Sequence, residues 1–319
     1  MALQRRLLGG TGLEVTELCF GALPMGPLQK GLSPDEGASL VAHALKSGIN
    51  FIDTAQIYLT YGAVREGIRA ARPSRPPVLA TKSPASSHGE MEAAIEEALR
   101  ELDVEAIDIF HLHAARAGVE VFAERAGALA CLLEYKSRGL IRAVGISTHD
   151  ARVTLAAAGR PEIDVVFPIY NRAGKGILNG TAEEMANAIR ANLAAGKGVY
   201  LMKALGGGTL LDDIPGNLAF VRTSVQAHAV AVGMVHPAEV DYDVALFAGG
   251  DAGVKAPDIR QKKVKVVSSL CKGCHACLPA CHSGAIAARP DGKAQIDTAA
   301  CLCCGYCTAA CPQFAIRVV

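Results

Sequence analysis

From Val15 to about Phe247 the chain alternates short apolar, β-branched runs with longer stretches whose apolar residues recur at helical spacing. The runs ELCFGA, INFIDTA, PVLATK, AIDIFHLH, IRAVGIS, DVVFPIY, GVYLMKA and HAVAVGM read as strands. PDEGASLVAHALKSG, GEMEAAIEEALREL and TAEEMANAIRANLAAG read as amphipathic helices, the last stopping at Gly196. Such alternation demands a mostly parallel sheet with both faces covered. Eight units in roughly 230 residues fit a (β/α)8 TIM barrel, which takes about 250. A doubly wound open sheet is the alternative, although eight strands is many for one.

The pattern breaks at AGGDAGVKAPDIRQKK, a Gly- and charge-rich stretch without periodicity that reads as a linker over residues 248–263. The chain thus divides into a barrel over 1–247, the linker, and a small α+β module over 264–319. That module, of about 55 residues, is too small to bury a sizeable core without staples.

Composition narrows the function classes. Lys and Arg number 32 against 31 Asp and Glu, which makes no electrostatic case for nucleic acid. Half the residues are apolar, yet no run nears the ~18 residues of a membrane span. The start, MALQRRLLGGTG, lacks the apolar stretch of a signal peptide, so a cytoplasmic location is expected. In a reducing compartment clustered cysteines read as metal ligands rather than disulfides.

Nine of the 11 cysteines fall in two runs, CKGCHACLPACHSGAI from Cys271 and CLCCGYCTAACPQFAI from Cys301. Each contains C-x2-C-x2-C-x3-C: Cys271, Cys274, Cys277 and Cys281, then Cys301, Cys304, Cys307 and Cys311. Ala285 and Ile286 map onto Ala315 and Ile316, so the whole unit is duplicated. Zinc, the alternative ion for C-x2-C, takes two pairs rather than triplets with a distant fourth thiol. The runs resemble the bacterial two-cluster ferredoxins, in which the fourth Cys of each run ligates the other cluster. The resemblance implies two 4Fe–4S clusters, one on Cys271, Cys274, Cys277 and Cys311, the other on Cys301, Cys304, Cys307 and Cys281. Pro312 follows Cys311 as that pattern requires, whereas His282 follows Cys281. Cys303, Cys19 and Cys131 read as small packed residues.

The barrel carries its own constellation. Asp53 ends the second strand, with Tyr58 five residues on; Lys82 ends the third strand and His113 the fourth. In a TIM barrel these positions converge on one face. With GTGLEVTELCFGA, GLIRAVGISTH and GKGVYLMKALGGG, the set resembles the aldo-keto reductases over residues 1 to about 247, and the tail resembles that family's iron–sulfur subgroup. The resemblance implies that Tyr58 is the general acid, with Lys82 stabilising its phenolate, Asp53 pairing with Lys82, and His113 orienting the substrate carbonyl or sharing the proton. His111 reads as core. The resemblance also implies a nicotinamide cofactor, NAD(P)H, across the barrel top near Lys203, Gly206, Gly207, Gly208, Gly233 and Met234, with Ser147 at the carboxamide. Phe167 and Met202 depart from the family pattern there. The loop GMVHPAEVDYD lacks the Arg or Lys that pairs an NADP phosphate.

A carbonyl/alcohol oxidoreductase acting on a small substrate, with clusters that wire the barrel to a one-electron redox protein partner, is therefore expected. On that view the barrel's own chemistry is separable from the tail. Two alternatives are an electron-transfer protein on a non-catalytic barrel and a reductase with structural or sensing clusters. Hydride carries two electrons and each cluster one. The usual switch between them is a flavin, for which the sequence shows no signature and against which a barrel offers no bar.

Overall fold

The computed structural model describes residues 2–27, 29–208, 210–250, 256, 263–281, 284–298, 301 and 306–318. A hairpin of β1 (Arg5–Leu7) and β2 (Glu14–Thr16) opens the chain. Eight parallel strands follow: β3 (Leu18–Gly21), β4 (Phe51–Asp53), β5 (Val78–Ser83), β6 (Ile107–Ala114), β7 (Ile141–Thr148), β8 (Val165–Pro168), β9 (Gly198–Leu201) and β10 (Ala229–Gly233). They pair in sequence order, and β10 pairs with both β9 and β3 to close the barrel. The open-sheet alternative is thereby excluded.

Helices α1 (Pro34–Lys46), α2 (Tyr61–Ala71), α3 (His88–Leu102), α4 (Val121–Glu124), α5 (Ala126–Ser137), α6 (Ala151–Ala158), α7 (Ala182–Ala194), α8 (Ile214–Ser224) and α9 (Pro237–Phe247) lie between and after the strands. The starts of α1, α3 and α7 are set by reciprocal capping boxes, Ser33 with Glu36, Ser87 with Glu90 and Thr181 with Glu184. The strand faces sort into two cores. Outward-facing residues such as Phe20, Ile52, Phe110 and Val166 pack with the helices. Inward-facing Cys19, Phe51, Ile109, Val165 and Tyr200 fill the barrel, joined by Leu8, Leu13 and Val15 of the N-terminal segment. The hairpin and this role were not anticipated from the sequence pattern.

The C-terminal region forms two small antiparallel sheets. β11 (Val264–Val266) pairs with β14 (Ile316–Val318), and β12 (Ile286–Ala288) pairs with β13 (Ala294–Ile296). A short helix, α10 (Tyr306–Ala310), precedes β14. The strand β13 lies 30 positions after β11, and β14 lies 30 after β12, the spacing of the cysteine duplication. Each half gives its first strand to one sheet and its last to the other in exchange. The small core holds Val264, Ile286, Ile316 and Val318 together with Cys277, Cys307 and Cys311.

This region sits on the barrel end that bears the strand C-termini. Val267, Leu270, Gln313, Phe314, Arg317 and Val318 line the same cavity as Tyr58 and His113. Two glycines make the seat possible. A Cβ on Gly208 would stand 2.8 Å from Val318 Cβ, and one on Gly176 would stand 2.4 Å from Phe314 Cζ. Gly176 also has φ +83°, which a side chain resists.

Gly176→Val should therefore unseat the tail while leaving the barrel folded. Limited proteolysis should separate residues 263–318 from the barrel several times faster than in the parent protein. An unchanged digestion course would show that Phe314 does not anchor the tail.

Candidate active site

Asp53 is the last residue of β4, Lys82 stands one before the end of β5, and His113 stands one before the end of β6. Tyr58 closes the one-turn helix Gln56–Tyr58 that follows β4, and Leu59 after it takes a left-handed φ of 56°. All four line one cavity of about 360 Å³ at the barrel mouth. Their convergence follows from the register, since parallel strands in a closed barrel end on one rim.

The centre is a buried charge pair. Lys82 Nζ donates to Asp53 Oδ2 at 2.6 Å and to the Thr54 carbonyl at 2.8 Å. Asp53 is 4% exposed and Lys82 1%. Tyr200 donates its hydroxyl to the other carboxylate oxygen at 2.9 Å, and His111 Nε2 lies 2.7 Å from the same hydroxyl. Burial alone would depress Lys82, but Asp53 and Tyr58 outweigh it and hold the ammonium above its ordinary pKa. Burial pushes Asp53 up, while Lys82 and Tyr200 pull it back.

Tyr58 stands next to this pair. Lys82 Nζ is 4.9 Å from the centre of its ring. Burial raises the phenol, Lys82 draws it down and Asp53 pushes it up, with the balance above the ordinary value. Tyr58 is thus a protonated donor at neutral pH. The His113 ring meets the Tyr58 ring edge-on, with centroids 6.0 Å apart, and its Nδ1 has no protein partner. Burial, then Lys82, Arg125 and Lys203, lower His113 to about 3. His113 is therefore a neutral imidazole that can orient a carbonyl but holds no proton to lend from an imidazolium, which narrows the expected role.

Of the expected cofactor positions, Lys203, Gly207, Gly208 and Gly233 line the cavity. Ser147 is fully buried with an unpartnered hydroxyl and lies off the lining. Met234 is also fully buried and belongs to the core between strands and helices, so its side chain makes no wall. Gly206, with φ +59°, shapes the turn without lining the cavity. Phe167 and Met202 form an apolar part of the wall. Periodicity gave no sign of several other contributors. Tyr200 reads as an ordinary strand aromatic. Arg116, His149, Gln313, Phe314 and Arg317 come from loops and from the tail.

Among the expected cluster ligands, Cys271, Cys274, Cys277 and Cys311 line one small cavity inside the tail, with Lys272, Gly273 and His275 around it. Backbone amides face sulfurs: Ala294 N is 3.5 Å from Cys271 Sγ, Ala315 N 3.3 Å from Cys311 Sγ and Ala285 N 3.2 Å from Cys281 Sγ. Cys307 belongs to the tail core, and Cys281 and Cys301 pack against it. Cys304 lies outside the described residues, as do Cys303 and His282. Among the described residues no group of three or more His, Cys, Asp or Glu closes on a point as the ligands of a single metal ion would. No described cysteine is in a disulfide. No helix among the described residues is long and apolar enough to cross a membrane.

A model of the aldo/keto reductase family matches residues 17–233. L-galactose dehydrogenase of Arabidopsis thaliana is 27% identical over 225 residues, 67% of this chain and 69% of its own. The 6-dehydroglucose reductase of Novosphingobium aromaticivorans is 30% identical over 159 residues, 44% of this chain and 50% of its own. Among solved structures, the holo form of an aldo-keto reductase from Bacillus halodurans superposes with a TM-score of 0.63 at 21% identity, over 76% of this chain and 90% of that one. The family match ends before the cysteine-rich region begins.

Three histidines, His111 and His149 buried and His113 half-buried, give the site a pH signature. Burial, then neighbouring cations, lower His111, His113 and His149 below the ordinary value of 6.5. Below about pH 6.5 the unfolded chain binds protons that the folded site refuses, so stability is lost as pH falls. The Tm should drop progressively from pH 7 to pH 5, and His149→Gln should flatten that slope. Parallel slopes for the two proteins would show that His149 charges freely in the fold.

Proposed function

The chain belongs to the aldo/keto reductase family and is an oxidoreductase, and we propose that it interconverts a carbonyl and an alcohol at Tyr58 with a nicotinamide nucleotide, beside a two-cluster iron–sulfur module formed by its tail. The observation that carries the first half is the convergence of Tyr58, Lys82, Asp53 and His113 on one cavity. The names of the two relatives, L-galactose dehydrogenase and 6-dehydroglucose reductase, both describe exchange between an alcohol and a carbonyl on a sugar, and support that reading.

A nicotinamide nucleotide, which this family normally binds, supplies hydride to the carbonyl carbon when bound. The residues of the chain do the rest. The Tyr58 hydroxyl points its proton at the carbonyl oxygen, and that proton completes the alcohol as the π electrons move onto oxygen. Lys82 holds positive charge against the phenolate this leaves, so the proton can depart despite the raised pKa. Asp53, bound by Lys82 and Tyr200, keeps Lys82 charged and in place. His113 hydrogen-bonds the oxygen and fixes its angle. Phe167 and Met202 keep water from the reacting carbon. The cofactor would lie along Gly207, Gly208 and Gly233, where glycine backbones permit close approach, and the orphaned Ser147 hydroxyl fits a carboxamide partner.

For the tail, the chemistry of the donors supports clusters. Four thiols line one cavity without forming disulfides, amides face the sulfurs, and the half-units repeat at the cysteine spacing. Cys271, Cys274, Cys277 and Cys311 would hold one 4Fe–4S cluster, and Cys281, Cys301, Cys304 and Cys307 the other. Such clusters supply one-electron redox capacity, which suits a redox protein partner.

Tyr58→Phe should lower turnover of an aldehyde substrate by about 10²–10⁴-fold, the range for a lost general acid, while leaving the cofactor Kd in place. Turnover equal to the parent's would remove Tyr58 from the chemistry. Anaerobically prepared protein should contain about eight iron atoms and matching acid-labile sulfide per chain, and Cys277→Ser should lose about half. Zinc in place of iron and sulfide would overturn the cluster reading.

A further inference from the structure

Three cations crowd the cavity beyond Tyr58. Arg317 enters from β14, Lys203 from the start of the loop after β9, and Arg116 from the loop after β6. All three surround one phenyl ring: Arg116 is 5.3 Å, Lys203 5.6 Å and Arg317 5.7 Å from the centre of Phe314. Arg317 is 8% exposed. Among the described residues its guanidinium donates one hydrogen bond, 3.3 Å to the Ile316 carbonyl, and Arg116 donates to the neutral Gln313 side chain at 2.7 Å. Among the described residues none of the three pairs with a carboxylate. The one acidic residue on the cavity wall is Asp53, already bound by Lys82 and Tyr200.

A buried cation without counter-charge is costly, and of the three Arg317 is buried, Lys203 half-buried and Arg116 exposed. The cost is visible in the group itself. Burial, then Arg317 and Arg116, depress Lys203 well below its ordinary value, and Arg317 is lowered to about 10. Lys203 also has a left-handed φ of 58°, a conformation a lysine adopts when its surroundings impose it. His149 adds an unpartnered Nδ1 beside Phe314, with ring centroids 5.3 Å apart.

Resting on the carbonyl chemistry assigned to Tyr58, we propose that the substrate carries a carboxylate, held by Arg317, Lys203 and Arg116 while its carbonyl addresses Tyr58. The planar fork of an arginine matches a carboxylate through two parallel hydrogen bonds. The cavity, about 360 Å³, has room for a small oxo acid beside a cofactor's reactive end. The same cations could instead answer the thiolates of the tail or a phosphate of the cofactor. The tail is the nearer rival, since Cys311 as a thiolate favours the charged forms of Arg317 and Arg116, although none of the three cations lines the cysteine cavity.

Succinate semialdehyde and its neutral isostere 4-methylpentanal separate these sources. The parent protein should favour the acid by at least tenfold in kcat/KM. Arg317→Gln and Lys203→Met should each erase most of that ratio, and Arg317→Lys should restore part of it. Calorimetry with unreactive succinate and neutral succinamide reads binding without turnover: succinate should bind at least tenfold tighter, and Arg317→Gln should remove the difference. A change confined to NADPH affinity in Arg317→Gln would assign the cations to the cofactor's phosphate, and a loss of iron would assign them to the clusters. Either result overturns the proposal, as does equal binding of succinate and succinamide. If neither aldehyde turns over while succinate binds through Arg317, the anion site stands and the chemistry assigned to Tyr58 fails. Should Arg317→Gln not fold, Lys203→Met and Arg116→Gln decide the same ratios.

Discussion

An ammonium and a carboxylate face each other 2.6 Å apart inside a closed barrel, each all but sealed from water. Removing one partner from such a pair generally costs about 3–5 kcal/mol, because the survivor is left charged in a medium that cannot solvate it. The rest of the interior is arranged around that constraint. The Thr54 carbonyl takes a second Lys82 proton, and Tyr200 and His111 occupy the far side of the carboxylate. Phe167 stacks on Tyr200 at 3.9 Å, which fixes the ring that supplies the hydroxyl. Gly145 belongs to the same account: a Cβ there would stand 2.1 Å from His111 Nδ1, so the imidazole fits only against bare backbone. With the charges pinned from below, Tyr58 is the one member of the network that faces the cavity with a movable proton.

The barrel and the positions of Asp53, Lys82 and His113 were legible because strand periodicity also says where a strand ends. In a parallel barrel all strand ends meet on one rim. The N-terminal hairpin was not legible, because QRRLLGGTGLEV shows too short an alternation to distinguish a hairpin from a loop. Tyr200 was missed for a different reason: its pattern is that of any inward strand aromatic, and its hydroxyl gains meaning from Asp53, a residue 147 positions earlier. Met234 shows the reverse error. Assigned to the cofactor by loop order, it has a packed side chain just past the end of β10.

The placement of the tail was illegible in the sequence. Cys271, Cys274, Cys277 and Cys311, the set that the ferredoxin resemblance implied, line one cavity. Spacing carries no information on which face of the barrel the unit meets. That depends on shape: on Gly176 making room for Phe314, on Gly208 making room for Val318, and on Lys265 reaching the Gln29 carbonyl at 3.2 Å.

The resulting placement changes what the two parts are to each other. Gln313 lines both the cysteine cavity and the cavity of Tyr58. Along β14 successive residues divide the work, with Ile316 on the cysteine side and Arg317 and Val318 on the catalytic side. A barrel cut free of its tail would lose Phe314 and Arg317 and open the mouth to water. The barrel and the tail share a wall of the catalytic cavity. A strand three residues long makes that wall, with Ile316 and Arg317 adjacent on one backbone.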